Sequence, residues 1–366
     1  MTRPSSNDDL RRAAAWNACP AAGMDKPAAK SALVVRCLLA LAAWGYLFSV
    51  VAAWAFMRWA GDRCWVATLV LFGPRWLCLL PLAPLAPLAW FFHRRSLFPL
   101  LGAALVAIGP LGGFCLPWAR FLTHGAPAIR VLTCNVKGRN HHNMRLEALI
   151  RQANPDIVAL QGCWNEGPVQ WPAAWHAVRR GELIVASRFP LQEIHATPAD
   201  GSARAASHEN LLGCIVRLPE GALRFATVHL QSPHVGIARV LDRSTGIRPS
   251  RSDRITAEID ARWKESEELS LRLAQECRPD IVVGDLNLPV DSPIYRTYWS
   301  KWWNAFSVAG WGWGGSEWPQ NTAGIRFGVR IDHILSGPHW RPNQCWLGPD
   351  VQSDHLPLLA DLEKSE

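Results

Sequence analysis

Several short segments of the chain place acids, amides and imidazoles just where an apolar run ends. The strongest is IVVGDLNLP, residues 281–289. A carboxylate and an amide two positions apart after such a run can share one task. Asp285 can orient and deprotonate a water, and Asn287 can hold that water or a phosphate oxygen. In QSDHLPLLADL, residues 352–362, Asp354 offers a hard oxygen ligand to Mg²⁺ or Ca²⁺. His355 beside it can donate to oxygens on which negative charge builds up. In RIDHILSG, residues 330–337, Asp332 can bond the far nitrogen of that histidine and fix its tautomer. His229, in ATVHLQSP, supplies another donor, and Asn135, in VLTCNV, another amide. The chemistry these residue types share is hydrolysis of a phosphoester by an activated water.

Each segment alone also has a bland reading. A GDxN is often a turn after a strand, an SDH an exposed loop, and a histidine at a strand end a satisfied side chain. Their succession carries the weight. Each follows or ends an apolar strand, so each projects from the same rim of a sheet, where ligand sites are usually built. Period-two or continuous apolar patterns predict strands at 129–134, 156–160, 182–187, 213–218, 223–229, 280–283, 330–335 and 358–361. Residues 144–153 read as an amphipathic helix and 252–276 as a long charged one. Strands outnumber helices, which suggests stacked sheets flanked by helices.

The polarity of the chain divides in two. Residues 1–127 hold 12 Lys or Arg against 4 Asp or Glu, and the remainder holds 26 of each. The formal charge of +8 and the pI of about 9.2 therefore belong to the first part. That weakens a nucleic-acid reading, which needs a basic footprint on the domain itself. Local basic patches stay open, for example around Arg243, Arg248, Arg251 and Arg254. Residues 1–30, polar and rich in Ala and Pro, read as a disordered cytoplasmic tail. Residues 31–122 contain three apolar runs, at 33–57, 76–92 and 97–118. The first carries one charge, Arg36, and is long enough to cross a bilayer. The second carries Pro81, Pro84 and Pro87, which membrane helices tolerate better than soluble ones. The expectation is a transmembrane region of about three helices. The basic tail and Arg94-Arg95 orient it with the N-terminus in the cytoplasm. This makes a multi-pass inner-membrane protein, the bilayer its partner and its C-terminal domain outside the cytoplasm. Residues 123–127 read as a linker. Residues 128–366 have the composition of one soluble domain of about 240 residues. Its five cysteines, Cys134, Cys163, Cys214, Cys277 and Cys345, have no metal-site spacing and read as buried thiols.

The blocks RVLTCNV, PDIVALQ, ELIVASRFPL, TVHL, VVGDLN, RIDHIL and SDHLPL, in this order, resemble the endonuclease/exonuclease/phosphatase superfamily over residues 129–362. A membrane-anchored bacterial branch of it is the most similar. The resemblance implies a DNase I-like α/β (α+β) fold, a four-layer sandwich of two mostly antiparallel sheets flanked by helices. It implies a metal-dependent hydrolase of phosphodiesters or phosphomonoesters, working with Mg²⁺, Mn²⁺ or Ca²⁺. By matching, Asp285 and Asn287 are the water-activating pair, and Asp332 orients the catalytic His355. His229 contacts phosphate, and Asn135 and Asp354 lie at the metal. One departure stands out. The family's metal-binding Glu follows the Leu-Gln of the second strand, and here that position is Gly162. Glu166 is the nearest acid that could stand in, and Gly162→Glu is expected to restore a stronger metal site. The alternative is a degenerate domain of the same fold that binds a phosphorylated or lipid ligand without turning it over. Substrate classes left open are lipid, small-molecule and nucleic-acid phosphoesters. No specific protein partner is implied.

Overall fold

The computed structural model describes residues 26–121, 125, 128–137, 142–164, 169–194, 210–242, 246–247, 252–317 and 328–365. Most of the expected tail, most of the expected linker, and Glu166, Arg243, Arg248 and Arg251 lie outside the described residues.

Two six-stranded sheets form the C-terminal domain. In chain order the strands are β1 (Ile129–Asn135), β2 (Ile157–Gln161), β3 (His176–Arg180), β4 (Leu183–Ser187), β5 (Leu191–Glu193), β6 (Leu211–Leu218) and β7 (Gly221–His229). They continue with β8 (Leu241–Asp242), β9 (Gly246–Ile247), β10 (Ile281–Asp285), β11 (Trp303–Asn304), β12 (Asp332–Ser336), β13 (Trp340–Leu347) and β14 (Leu358–Lys364). One sheet has the order β13-β14-β1-β2-β4-β3 and the other β11-β12-β10-β7-β6-β5, while β8 and β9 form a small separate ribbon. The two sheets repeat one plan. A central strand pairs in parallel on one side and antiparallel on the other: β1 with β2 and β14, β10 with β7 and β12. Continuous apolar runs such as IVALQ and IVVGD are buried on both faces, as central strands of a layered fold must be.

The inner faces meet in a core that includes Val131, Ile157, Val185, Phe225, Val283 and Ile334. Within it, Gln161 Nε2 donates to Thr133 Oγ1 at 3.0 Å and to Thr227 Oγ1 at 2.9 Å. This buried tie fixes one sheet against the other directly below the strand ends that carry the polar residues. On the outer faces lie two helical layers. The amphipathic helix Met144–Ala153 packs Leu146, Leu149 and Ile150 onto one sheet. The long helix Ser252–Arg272, extended by a π turn at Leu273–Cys277, packs Leu269 and Leu273 onto the other. The result is the four-layer DNase I-like sandwich.

Strands β3, β5, β11 and β13 were not legible as such in the sequence. β3, HAVRR, is largely exposed and polar, and β13 carries a proline at a register shift between Pro342 and Gln344. Among the described residues all cysteines are free, and the five of this domain are buried.

The N-terminal part folds into helices α1 (Lys26–Ala60), α2 (Trp65–Phe72), α3 (Leu82–Phe92) and α4 (Leu97–Ile108). Two stretches, Lys30–Ala60 and Arg75–Phe92, are long and apolar enough to cross a membrane. The third run, 97–118, is helical only to Ile108, where Gly109, Pro110 and two further glycines follow. The chain divides into two compact units. One comprises Met1–Ser49 and Leu79–Ala104, and the other Val50–Cys78 and Leu105–Glu366. In the first, Ala43, Ala89 and Leu100 form a small core. In the second, the turn after α1 joins the sandwich. Asp62, fully buried, accepts from Arg262 Nη1 at 2.7 Å, and Trp263 Nε1 donates to the Asp62 carbonyl at 2.6 Å. Residues 58–75, between the first two apolar runs, carry Arg58, Arg63 and Arg75, so in the sequence this turn reads only as a basic loop.

Candidate functional site

The site is built on one rung of the second sheet. At its edge Asp285, the last residue of β10, pairs in register with His229 of β7 on one side and Asp332 of β12 on the other. In the facing sheet Asn135 ends β1, opposite Gln161. Gly284 makes the rung possible. Its φ is +135°, and a Cβ there would sit 2.0 Å from the Val228 carbonyl oxygen. Only glycine lets β10 approach β7 that closely.

Asp285 is buried and lies at the hub. Its Oδ1 accepts from the Asn287 backbone N–H at 2.8 Å, and its Oδ2 accepts from Asn135 Nδ2 at 2.9 Å. The same oxygen lies 3.6 Å from His229 Nε2 and 3.8 Å from His355 Nε2. Each histidine is anchored on its far side: His355 Nδ1 donates to Asp332 Oδ2 at 2.8 Å, and His229 Nδ1 donates to Glu182 Oε1 at 2.7 Å. Asp332 is held in turn by its own backbone N–H donating to Ser316 Oγ at 3.1 Å. Asn287 has a left-handed backbone (φ 50°) and donates its Nδ2 to the Leu230 carbonyl at 2.7 Å. That bond turns the loop after β10 into the site.

The electrostatics follow from burying two acid–imidazole pairs around one carboxylate. Burial by itself would raise Asp285. The charge of His355, then the hydrogen bond and charge of His229, outweigh burial and hold Asp285 down at about 2. Burial by itself would lower both histidines. The nearby carboxylates of Asp285 and Glu182 raise His229 to about 10, and the charges of Asp332 and Asp285 do the same for His355. At neutral pH the site therefore holds an ionised Asp285 between two imidazolium rings.

Asn135, His229, Asp285, Asn287, Asp332 and His355 thus converge, as their positions at strand ends predict. Sequence reasoning missed three residues. Glu182, immediately before β4, carried no signal beyond its place at the head of an apolar run. Glu317 lies beside the site and is backbone-bridged to His355. Its burial, and then the charges of Asp285, Asp354 and Asp332, raise it to about 7 against the opposing charge of His355. Lys137, two residues beyond Asn135, places its ammonium in an ion pair with Asp354.

The family model for the endonuclease/exonuclease/phosphatase family matches residues 132–355. The chain belongs to this family. No curated protein matches it. Among solved structures, a 3′ phosphatase from Neisseria bound to a product DNA hairpin is 17% identical with a TM-score of 0.45. The match covers 64% of this chain and all of that one. An endonuclease/exonuclease/phosphatase from Beutenbergia cavernae is also 17% identical, with a TM-score of 0.42 over 65% of this chain and 72% of its own. An AP endonuclease from Archaeoglobus fulgidus is 14% identical, with a TM-score of 0.42 over 63% of this chain and 98% of its own.

Endonuclease/exonuclease/phosphatase enzymes hydrolyse phosphoesters and generally use a divalent metal. The ligand set expected here does not fit such an ion. Asn135 Oδ1 accepts from the Lys137 backbone N–H at 2.9 Å, which turns its amide N–H₂ toward the site. Asp354 is engaged by the Lys137 ammonium. Glu166 lies outside the described residues. Gly162 has a left-handed φ of +70°, and a Cβ there would lie 2.7 Å from Asn135 Oδ1 and 3.0 Å from the Lys137 nitrogen. A glutamate at Gly162, as expected from the resemblance, would have to take up a left-handed backbone and displace the Asn135 amide. Ligand atoms of Asp285, Asp332 and His355 lie within 4.8 Å of one another; Asp285 and His355 bond other members of the site, and Asp332 Oδ1 is buried without a hydrogen-bond partner among the described residues.

Proposed function

We propose that the chain is a membrane-anchored phosphoesterase that hydrolyses a phosphodiester or phosphomonoester with water. The observation that carries this reading is the rung His229–Asp285–Asp332, with His355 closing it and Asn135 reaching in from the facing sheet. Asp285 accepts the hydrogen bond of the attacking water and takes its proton as the oxygen–phosphorus bond forms. His355 and His229 donate N–H to the phosphoryl oxygens, whose charge grows as the ester bond breaks. His355 then passes a proton to the leaving oxygen, and Asp332 holds the ring aligned throughout. Charged donors fixed in a water-poor site act without reorganising, and removing one such donor typically costs 10²–10³ in rate.

Membrane anchorage rests on exposure. Along α1, Leu41 is 72% and Phe48 75% exposed, and Phe91 in α3 and Phe98 in α4 are 79% and 78% exposed. Apolar surface on this scale needs a nonaqueous environment. The C-terminal turn of α1 belongs to the same unit as the sandwich. With the basic N-terminus in the cytoplasm, the reading is a site outside it. The second part of the chain has no net charge, which favours lipid or small phosphoesters over duplex DNA, whose binding depends on phosphate neutralisation.

The test is hydrolysis of bis-p-nitrophenyl phosphate and p-nitrophenyl phosphate by the full chain in detergent. The expected result is turnover that Asp285→Asn lowers by roughly 10³, the middle of the general-base contribution of about 10²–10⁴. Phosphate binding without turnover in the wild type would instead support the binding-only domain.

A further inference from the structure

Three features meet at the end of β1. Gly162 stands where the family carries its carboxylate, and a side chain there would take a left-handed backbone and press on Asn135 Oδ1 at 2.7 Å. Asn135 is turned by the Lys137 backbone N–H, so it offers the site a donor instead of an oxygen ligand. The Lys137 ammonium pairs with the buried carboxylate of Asp354. Lys137 itself has a left-handed φ of 48°, so one tight turn sets both its backbone and its side-chain contact.

Charge counting relates the three. An acid with a divalent cation contributes a net charge of +1. A glycine with an ammonium contributes the same. A hard cation such as Mg²⁺ takes oxygen ligands at about 2.0–2.1 Å in a near-octahedral array, one or two of them carboxylates that must be free to ligate. Among the described residues Asp354 is the carboxylate at this end of the site, and the Lys137 ammonium is paired with it. The side chain of Lys137 is 59% exposed, so the far side of its ammonium is open to a ligand.

We propose that Lys137 is the resident cation of this protein. Its ammonium, seated on Asp354, neutralises the phosphoryl oxygens in place of a divalent metal, and hydrolysis runs without one. The catalytic half of this statement rests on the phosphoesterase reading; the metal half does not. The reaction balances without a metal. The water oxygen bonds phosphorus as the ester oxygen leaves, and the proton lost to Asp285 is matched by the one His355 supplies.

Two measurements on the full chain in detergent test it. The first is Mn²⁺ binding, read by electron paramagnetic resonance and by thermal shift at up to 10 mM Mn²⁺ or Mg²⁺. The wild type is expected to bind no Mn²⁺ in this range and to show no shift. Lys137→Met frees Asp354 and is expected to bind Mn²⁺ detectably. Saturable Mn²⁺ binding by the wild type overturns the proposal, whether or not any substrate turns over. The second is turnover of bis-p-nitrophenyl phosphate after EDTA treatment, with and without added metal. Activity is expected to survive EDTA and to change less than twofold with Mg²⁺, Mn²⁺ or Ca²⁺. Lys137→Met is expected to lose about 10²-fold, and Lys137→Arg, which keeps the charge, to recover most of it. Loss of wild-type activity in EDTA, restored by metal, overturns the proposal. If no condition gives turnover, the phosphoesterase reading fails and the Mn²⁺ result alone decides the assignment of Lys137.

Discussion

Replacing Arg262 by Met should be among the costliest single changes in the molecule, and the structure says why. The guanidinium is 2% exposed and Asp62 is fully buried. Nη1 donates to Asp62 Oδ1 at 2.7 Å, and Nη2 donates to the Asn287 carbonyl at 2.8 Å. The guanidinium also lies 5.3 Å from the centroid of the Phe72 ring. Methionine fills much of the same volume, so the loss is electrostatic. Asp62 keeps the Ser292 hydroxyl as a donor but is left a buried charge without a counter-ion. Breaking a buried pair from one side costs about 3–5 kcal/mol. At roughly 2–4 °C per kcal/mol for a domain of this size, the apparent Tm should fall by about 6–20 °C. The same change releases the Asn287 carbonyl. Because the Asn287 N–H holds Asp285 Oδ1, kcat should fall as well, by roughly tenfold if about 1.4 kcal/mol of positioning is lost. The assay is thermal unfolding of the full chain in detergent at one fixed scan rate, for Arg262→Met, Asp62→Asn and the double variant. The double variant should be less destabilised than the sum of the singles by about 2 kcal/mol or more. A single-variant cost below about 1 kcal/mol, or strict additivity, would refute the coupling of the turn after α1 to the loop of Asn287.

Three further outcomes follow from the same geometry. His333 is buried, donates Nε2–H to the Leu288 carbonyl at 2.8 Å and accepts at Nδ1 from Asn304 at 2.9 Å, so it is neutral; burial and the Arg330 charge lower it to about 3. Its folded value lies below the unfolded value of about 6.5, so stability is full above pH 6.5 and declines toward pH 3, by up to roughly 5 kcal/mol. In denaturant titrations at several pH values, His333→Gln should flatten that slope, and an unchanged slope would show that His333 is not its source. Asp332→Asn removes the charge that raises His355 to about 10. The imidazolium, present below that value, should then be lost nearer the ordinary pKa of about 6.5, and the alkaline limb of kcat should move down toward it. An unmoved limb would mean that His355 does not set it. Gly162→Ala should cost about 1–3 kcal/mol from its left-handed backbone and the contact with Asn135 Oδ1, and a change under about 0.5 kcal/mol would show that the turn relaxes freely.

Strand patterns in the sequence indicated stacked sheets and the rim that carries most of the site, and the resemblance of its motifs to a known family implied the sandwich. Continuous apolar strands such as IVVGD can only be buried on both faces, and a polar residue at the end of each must emerge at a shared rim. That argument locates Asn135, His229, Asp285, Asn287, Asp332 and His355 before any coordinates exist. The missing acid at Gly162 was equally legible. Its consequence was not, because a one-letter Gly gives neither the φ of +70° nor the neighbour 2.7 Å away. Glu182, Glu317 and Lys137 were invisible for a related reason. They lie 47, 38 and 217 residues from the site residues they meet, in segments whose local pattern says only strand edge or turn. The turn after α1 shows the same limit. Asp62 and Arg262 are separated by 200 positions, and an isolated acid in a basic loop has no reason to be buried. Periodicity is a local property and fixes which face of an element is apolar. Which charges face each other across the sandwich depends on strand order and register, and only tertiary packing decides those.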